Sequence, residues 1–227
     1  MPELPEVETV ARGLAEHITG LRIATVDLRE PKILYGYVGL LDHLVGCRIQ
    51  DVRRCGKQIH MLAGEKSGEP RITIVVHLGM TGRLLVADRE KPVEKHTHRR
   101  MGLGRGAREL RFCDPRRFGG IWLVANPEHT HSANALAWQG RRLPPIGTDP
   151  MSLSLPQMCD ILRRNRQIKA LLLDQRHIGG LGNIYCDEML FRAGVHPSTP
   201  AAGLDRTVVR KLRQAMLRVL AEAIRAG

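Results

Sequence analysis

The chain has 227 residues, enough to bury a core in two domains of ordinary size without disulfide staples. Its 35 Lys and Arg against 23 Asp and Glu give a formal charge of +12, which favours a polyanionic partner such as nucleic acid. No long apolar run and no basic leader followed by an apolar segment occur, so we expect neither a membrane span nor a secretory signal, and a cytoplasmic protein.

The cysteines are odd in number, widely spaced and form no C-x-x-C pair. This pattern argues against both a disulfide framework and a zinc ribbon. We therefore expect reduced, mostly structural thiols at all five positions. They are Cys47, Cys55, Cys113, Cys159 and Cys186.

The first ten residues, MPELPEVETV, combine a potential amine with several carboxylates. Removal of Met1 would leave Pro2 with a free secondary amine beside Glu3 and Glu6. A free α-amino group titrates near pH ~7.7–8.0, so a usable fraction is neutral and nucleophilic at physiological pH. The chain start is a candidate nucleophile, and the alternative is that its prolines only begin a helix.

An amphipathic helix is predicted from Leu4 to Ile18, where apolar residues recur at helical spacing and Gly20 follows as a stop signal. Short apolar runs bounded by Gly, Pro or charged turns come next and predict an antiparallel sandwich. These runs are 21–28, 47–52, 58–62, 72–77, 83–86, 109–113 and 121–124. The predicted N-terminal domain, 1–137, is therefore mainly β.

The segment 138–151, WQGRRLPPIGTDPM, has the Pro and Gly density of a linker. Beyond it, apolar and basic positions alternate with helical period and predict an all-α domain over 152–227. The predicted helices are 155–164, 168–176, 184–192 and 204–226. The fold class is thus α+β, with an opening helix, an antiparallel β-sandwich and a separate helical domain.

The segment HIGGLGNIYCDE, 177–188, lies between two of these helices. Its glycines permit a tight double turn, and Asn183 is placed to cap the following helix. Helix N-termini attract phosphate, and Arg164 and Lys169 lie just upstream, so the segment is either a phosphate clamp or a plain turn.

The segment RFCDPRRFGGIW, 111–122, places Arg116 next to Phe118 at a turn that Asp114 and Pro115 initiate. An aromatic ring beside paired arginines is typical of a loop that enters duplex DNA. Phe118 and the separate Met80 are suited to wedging between base pairs, and Arg116 to bonding an orphaned base. The alternative is a solvated hairpin with one buried Phe.

Two further features carry weaker signals. Lys57 follows a glycine and precedes a strand, where it lies either at the mouth of a site or on the basic surface. His96 and His98 are two residues apart, which on a strand places both on one face. No third ligand lies nearby, so we expect phosphate or backbone hydrogen bonding rather than metal.

Several motifs in one order resemble the formamidopyrimidine-DNA glycosylase and endonuclease VIII family over nearly the whole chain. Leu4, where the endonuclease VIII branch has glycine, indicates the formamidopyrimidine branch. The motifs are MPELPEVET at 1–9, Gly56–Lys57, HLGMTG at 77–82, KHTH at 95–98, DPRRFG at 114–119, IKALLLDQ at 168–175 and GGLGNIYCDE at 179–188.

The resemblance implies a bifunctional base-excision-repair enzyme that removes oxidised purines, notably 8-oxoguanine and formamidopyrimidines, and then cleaves the strand at the abasic site. It implies that Pro2 attacks C1′ and forms a Schiff base, Glu3 handles protons, and Lys57 assists β-elimination. Glu6 and His77 are supporting residues.

The resemblance also implies how duplex DNA is held. Met80, Arg116 and Phe118 match the intercalating triad that fills the gap left by the extruded base. The DNA-binding positions are His96, Arg116, Arg164, Lys169 and Asn183, the last within a helix–two-turn–helix domain. We expect a monomer that acts on damaged double-stranded DNA in the bacterial nucleoid.

The family usually continues into a C-terminal finger in which four cysteines hold zinc. The sequence ends at Gly227, and none of its residues matches those ligands. We therefore expect no metal or other cofactor in this chain. The rival interpretations are a non-catalytic module that binds damaged DNA, or a truncated fragment, and an RNA-binding protein, which the 4% aromatic content disfavours.

Overall fold

The computed structural model describes residues 1–28, 34–36, 39–64, 72–104, 106–125, 143 and 146–227. These residues form two compact units. The first comprises Met1–Pro2, Val10–Arg54 and Gln58–Pro144, and the second Glu3–Thr9, Cys55–Lys57 and Pro145–Gly227. Of the predicted linker, 138–142, 144 and 145 lie outside the described residues, so the linker bounds stay a prediction.

The opening helix, α1 (Leu4–Ile18), is confirmed with the bounds that the apolar spacing predicts. Leu4 and Val7 are fully buried in the second unit, and Ile18 is fully buried in the first. The helix stops before Gly20, which adopts φ +85 and so needs a residue without a Cβ.

The first unit contains nine described strands and one short helix. These are β1 (Ile23–Leu28), β2 (Leu34–Gly36), α2 (Leu40–Leu44), β3 (Arg48–Cys55), β4 (Gln58–Gly64), β5 (Ile72–His77), β6 (Arg83–Asp88), β7 (Thr97–Leu103), β8 (Arg108–Cys113) and β9 (Gly120–Ala125). They form two sheets, with orders β1-β7-β8-β6 and β2-β9-β5-β4-β3. The pairs β1–β7, β7–β8, β6–β8, β4–β5 and β5–β9 are antiparallel, whereas β2 runs parallel to β9.

The apolar runs of the sequence do not reveal β2, α2 or β7. Strand β7 carries two consecutive arginines. Charged residues are also typical of turns, so the sequence does not indicate a strand here. In the structure, Arg100 donates from Nε and Nη2 to the buried Glu109 at 2.9 and 2.8 Å. Arg111 Nε donates to the same carboxylate at 2.7 Å. Paired charges thus take the place of alternating apolar residues.

The second unit is helical beyond Pro145. Its elements are α3 (Leu155–Leu162), α4 (Ile168–Leu172), α5 (Asn183–Ala193), a 3₁₀ turn (Ala201–Gly203) and α6 (Arg206–Ala226). One apolar cluster, which includes Leu4, Ile168, Leu181, Cys186 and Leu212, joins these helices to the first turn of α1. The α+β class is therefore confirmed.

Several predicted helix bounds differ from the structure, and two of the differences have identifiable local causes. Helix α4 ends at Leu172 rather than at residue 176, because Asp174 accepts from the backbone and guanidinium of Arg176 and forms a turn of its own. Helix α6 begins at Arg206, because the Asp205 carboxylate caps it through the N–H groups of Thr207 and Val208. No helix among the described residues has the length and apolar character needed to cross a membrane.

We expect Glu109→Gln to destabilise the first unit by about 3 kcal/mol, since it leaves two arginines short of a buried counter-charge. Thermal unfolding measures the change. Glu94→Gln is the matched control, because its pair with Arg83 is solvent-exposed and contributes at most about 1 kcal/mol. Equal losses in the two variants would contradict the role of Glu109.

The effect of Glu109→Gln should also depend on pH. Burial raises the pKa of Glu109, but hydrogen bonds from Arg100 and Arg111 outweigh it and hold the pKa below its usual value. The carboxylate therefore stabilises the fold above the unfolded pKa, and this stabilisation is lost as pH falls through the folded one. The difference between the two proteins should shrink in that acid range.

Candidate functional site

The carboxylate of Glu3 lies at the N-terminus of α5. Glu3 is 4% exposed. Its Oε1 accepts from the backbone N–H of Ile184 at 3.1 Å, and its Oε2 from that of Tyr185 at 3.4 Å. These N–H groups lack partners within the helix, and the helix dipole favours a negative charge there. A residue at the start of the chain is thereby fixed against a helix near the other end of the sequence.

Two glycines make this approach possible. A Cβ on Gly182 would lie 2.2 Å from the Glu3 Cδ, a distance at which the carboxylate would have to move. Gly180 adopts φ +105, its carbonyl accepts from the Leu4 N–H at 3.0 Å, and a Cβ there would lie 2.9 Å from Leu4 Cδ1. Gly180 and Gly182 therefore leave the space in which Glu3 and Leu4 pack.

The prediction that Asn183 caps α5 is wrong. Gly182 occupies the N-cap position without a side-chain hydrogen bond, and Asn183 is the first helical residue and exposed. Glu3 supplies from a distance the acceptor that a capping Asn would supply locally. The N–H groups of Ile184 and Tyr185 are thus already used by a carboxylate of the same chain.

Glu6 holds the backbone of Glu3 from the other side. Its Oε2 accepts from the Glu3 N–H at 2.8 Å, and its Oε1 accepts from the Tyr185 hydroxyl at 2.5 Å. Burial, followed by the hydrogen bond to Glu6, raises the pKa of Tyr185, so this hydroxyl keeps its proton and donates. The first turn of α5 therefore holds Glu3 in two ways. It binds the Glu3 carboxylate directly, and it binds Glu6, which in turn accepts from the Glu3 backbone.

Lys57 is buried beside these carboxylates. It is 9% exposed and follows Gly56, which has φ +59 and where a Cβ would lie 3.4 Å from Ile146 Cγ2. Burial lowers the pKa of Lys57, while the charges of Glu3, Cys186 and Glu6 partly restore it. The ammonium therefore loses its proton more readily than a surface lysine does. Of the two interpretations that the sequence allows, the basic-surface one is excluded.

Cys186 lies in the same cluster and is fully buried. Burial raises the pKa of its thiol to about 12, with Glu3 adding to the effect. At neutral pH it is a thiol and a poor nucleophile. All five cysteines are free in the structure, and among the described residues no three His, Cys, Asp or Glu side chains are grouped as a metal site requires.

A second cluster lies in the first unit, around the fully buried Asp114. Its Oδ1 accepts from the Thr81 hydroxyl at 2.7 Å and from the Arg116 N–H at 3.3 Å. Its Oδ2 accepts from the Gly119 N–H at 2.7 Å. One carboxylate thus ties together the loops that follow β5 and β8.

The same two loops touch through glycines. A Cβ on Gly79 would lie 2.4 Å from the nitrogen of Gly119, and Gly79 itself has φ +64. His77 Nδ1 accepts from the Gly79 N–H at 3.0 Å, which orients the turn. His77 therefore shapes the backbone before Met80, and its supporting role in the chemistry stays a prediction.

The tips of these loops present the predicted wedge residues. Met80 and Phe118 are each 45% exposed, which is unusual for large apolar side chains. The Arg116 guanidinium lies 4.6 Å from the centre of the Phe118 ring, within cation–π range. Phe118 is therefore not a buried Phe, whereas Phe112 of the same segment is buried.

The expectation that His96 and His98 share a face is wrong. His96 precedes β7, has φ +67 and is exposed, whereas His98 is buried and its Nε2 bonds the Asp114 carbonyl at 2.8 Å. The left-handed residue and the register shift between Thr97 and Arg99 break the alternation. His98 thus makes a backbone hydrogen bond, one of the two roles that the sequence predicts for it.

The remaining predicted DNA-binding residues lie on the second unit. Arg164 is exposed and bonds the Asp160 and Ile161 carbonyls at the end of α3. Lys169 Nζ pairs with Asp187 at 2.8 Å. Asn183 is exposed at the start of α5. The structure brings these groups and Glu3 onto one helical unit.

Sequence reasoning misses residues whose function is to hold others. It assigns Asp114 only to a turn and does not single out Tyr185. Gln175 bonds the carbonyls of Leu173 and Leu181 through Nε2 and accepts from Gly180 N–H through Oε1, so it shapes the glycine turn. A polar residue just before a segment rich in glycine is the sequence signal available for it.

The family comparison covers both units of the chain. The description "Formamidopyrimidine-DNA glycosylase N-terminal domain" matches residues 1–121, and "Formamidopyrimidine-DNA glycosylase H2TH domain" matches residues 146–227. The formamidopyrimidine-DNA glycosylase of Nocardia farcinica is 38% identical over 100% of this chain and 79% of its own length. That of Heliobacterium modesticaldum is 42% identical over 100% and 79%.

Solved structures agree with this comparison. A Lactococcus lactis Fpg in complex with DNA that contains an abasic site has a TM-score of 0.83 at 30% identity, covering 98% of this chain and 78% of that one. A wild-type Lactococcus lactis Fpg bound to DNA with N7-benzyl-Fapy-dG also has a TM-score of 0.83 at 30% identity, covering 99% and 79%. The similarity thus extends over the sequence and the fold together.

We expect Asp114→Asn to loosen the two loops 78–82 and 114–119, together called the wedge loop, because one of the two side-chain oxygens of Asp114 is replaced by an NH₂ donor that faces another donor. The loss should be about 2 kcal/mol in thermal unfolding. Limited trypsin digestion should cut faster after Arg116 and Arg117. Asp88→Asn is the control, since the Asp88 carboxylate makes an exposed pair with Lys91. Unchanged digestion of the Asp114 variant would exclude this role.

Proposed function

The chain belongs to the formamidopyrimidine-DNA glycosylase family, and we propose that it excises oxidised purines from double-stranded DNA and then cleaves the strand at the abasic site. The substrates of this proposal are 8-oxoguanine and formamidopyrimidines. One observation carries it: a buried carboxylate, Glu3, is fixed directly beside the residue that becomes the amino terminus when Met1 is removed.

The proposed chemistry begins with the Pro2 amine. Its lone pair attacks C1′ of the damaged nucleotide, the bond from C1′ to the base breaks, and the base leaves after gaining a proton. Ring opening then gives an iminium between Pro2 and C1′. Glu3, held by α5, is placed to move protons at the sugar, which general acid–base catalysis requires.

Strand cleavage follows as a β-elimination. A proton leaves C2′, a double bond forms towards C3′, and the bond from C3′ to the 3′ phosphate oxygen breaks. The iminium makes the C2′ proton acidic because it draws electrons towards C1′. Lys57 supports this step, since burial lowers its pKa and raises the fraction that can accept a proton near neutral pH.

The wedge loop supplies access to the base. A base inside a duplex is out of reach of an amine, so it must be extruded at a cost of a few kcal/mol. Met80 and Phe118 are exposed apolar groups that can occupy the gap, and Arg116 can bond the base left without a partner. Lactococcus lactis relatives solved with abasic-site and N7-benzyl-Fapy-dG DNA support this use of the fold.

His96, Arg164, Lys169 and Asn183 are proposed to hold the DNA backbone, and a formal charge of +12 favours this partner. The proposal includes a monomer that acts in the nucleoid. Among the described residues none fits the zinc ligands of the family's C-terminal finger, so no step is assigned to a metal.

The direct test is incision of a labelled duplex that carries one 8-oxoguanine or one formamidopyrimidine. The proposal predicts release of the base and a nick at that site, with no cleavage of undamaged duplex or single-stranded RNA. Tight binding of abasic-site duplex without base release or nicking would instead support a non-catalytic module that binds damaged DNA.

We expect Gly182→Ala to reduce excision about 100-fold, because its Cβ displaces the Glu3 carboxylate and a shift of about 1 Å at a reacting group has that effect. Gly182 has φ −131, so alanine causes no backbone strain. Single-turnover kinetics measure the change. Gly203→Ala is the control, since nothing lies within 4 Å of its Cβ. Full activity in the Gly182 variant would remove Glu3 from the mechanism.

We expect Phe118→Ala to lower excision at least about tenfold while binding of undamaged duplex falls less than about twofold, because the wedge stabilises the extruded state and makes no phosphate contact. Gel-shift titration and single-turnover excision measure the two quantities. Phe191→Ala is the control, since Phe191 is 85% exposed and lies on α5 outside the wedge loop. Parallel losses in binding and excision would contradict the wedge role.

A further inference from the structure

Arg99 is a buried cation inside the β-sandwich. It lies on β7, is 6% exposed, and its Nε, Nη1 and Nη2 atoms have no hydrogen-bond partner among the residues that the structure describes. An unpaired buried charge carries a large desolvation cost, so a guanidinium in this state needs a counter-charge or an acceptor. The arrangement therefore demands an occupant beside it.

Neighbouring charges are used elsewhere. Arg100 and Arg111 share Glu109, and Asp27, whose side chain is half exposed, contacts Arg100 at 3.7 Å. Burial lowers the pKa of Arg99 to about 10, and Asp27 opposes this only in part. Arg99 is thus still charged at neutral pH and is not neutralised by any of these carboxylates.

A cavity of about 30 Å³ adjoins Arg99. Apart from Arg99 and Arg100 its walls are apolar and come from both sheets, with Leu34, Ile74 and Phe112 among them. A space of this size holds at least one species as large as a water molecule. A water molecule needs two to four polar partners, and the polar side chains of this lining, the two guanidiniums, only donate, so its own protons would find no side-chain acceptor there.

We infer that Arg99 and this cavity form a binding site for one small monovalent anion of halide size. The guanidinium supplies up to five N–H donors on one side, and a halide, which has no protons to place, tolerates apolar walls on the others. The ion would neutralise Arg99 and stabilise the contact between β7 and β8, which leads into the wedge loop.

The first test is diffraction from crystals of the full chain grown in bromide, with data collected at the bromine absorption edge. The inference predicts an anomalous peak within hydrogen-bond distance of the Arg99 guanidinium. Absence of the peak, or density without anomalous signal that fits only water, overturns it. This measurement needs no variant and so does not depend on whether a substituted chain folds.

The second test compares thermal unfolding in sodium bromide and sodium sulfate at equal ionic strength. Relative to Arg99→Met, the unsubstituted protein should gain about 5–10 °C from bromide when the ion is at about a hundredfold excess over its Kd. Arg108→Met, at an exposed position on β8, should respond as the unsubstituted protein does. The same bromide response in all three proteins overturns the inference, because the effect would then be general.

Discussion

A carboxylate bound to the N-terminus of a helix organises the proposed catalytic site. Glu3 reaches across the sequence to the N–H groups of Ile184 and Tyr185, and Gly182 leaves the room for it. Two further residues then depend on this contact. Glu6 accepts hydrogen bonds from both Glu3 and Tyr185. Lys57 is buried beside these carboxylates, whose charges partly offset the lowering of its pKa by burial.

The wedge loop also depends on a buried carboxylate, that of Asp114. Asp114 is fully buried, and its two oxygens take one hydroxyl and two backbone N–H groups from two loops. Because those donors are satisfied inside, the apolar tips Met80 and Phe118 can remain exposed without loosening the backbone beneath them. The proposed wedge role favours such a rigid base, since a mobile loop would lose conformational entropy on entering DNA.

Local signals in the sequence are sufficient for many of the elements, but not for the contacts that position them. The opening helix and strands β4 and β5 follow from apolar spacing, and the exposed Phe118 from its neighbours. The cap of α5 cannot be predicted from local sequence, because the acceptor that takes the place of Asn183 is Glu3, which lies 181 residues from Ile184. Strand β7 escapes prediction because Arg100 is compensated by Glu109, a pairing that forms only once β8 lies beside it. Asp114 resembles a turn former, since Thr81 is 33 residues away.

The proposed mechanism depends most directly on Pro2, placed by Glu3, acting as the nucleophile. The decisive measurement is peptide mapping of the covalent adduct that borohydride traps between the Met1-trimmed protein and abasic-site duplex, because reduction turns a transient imine into a stable bond. We predict one adduct, on the amino-terminal peptide and at Pro2. An adduct at Lys57, or none from trimmed protein that binds the duplex, would contradict this role.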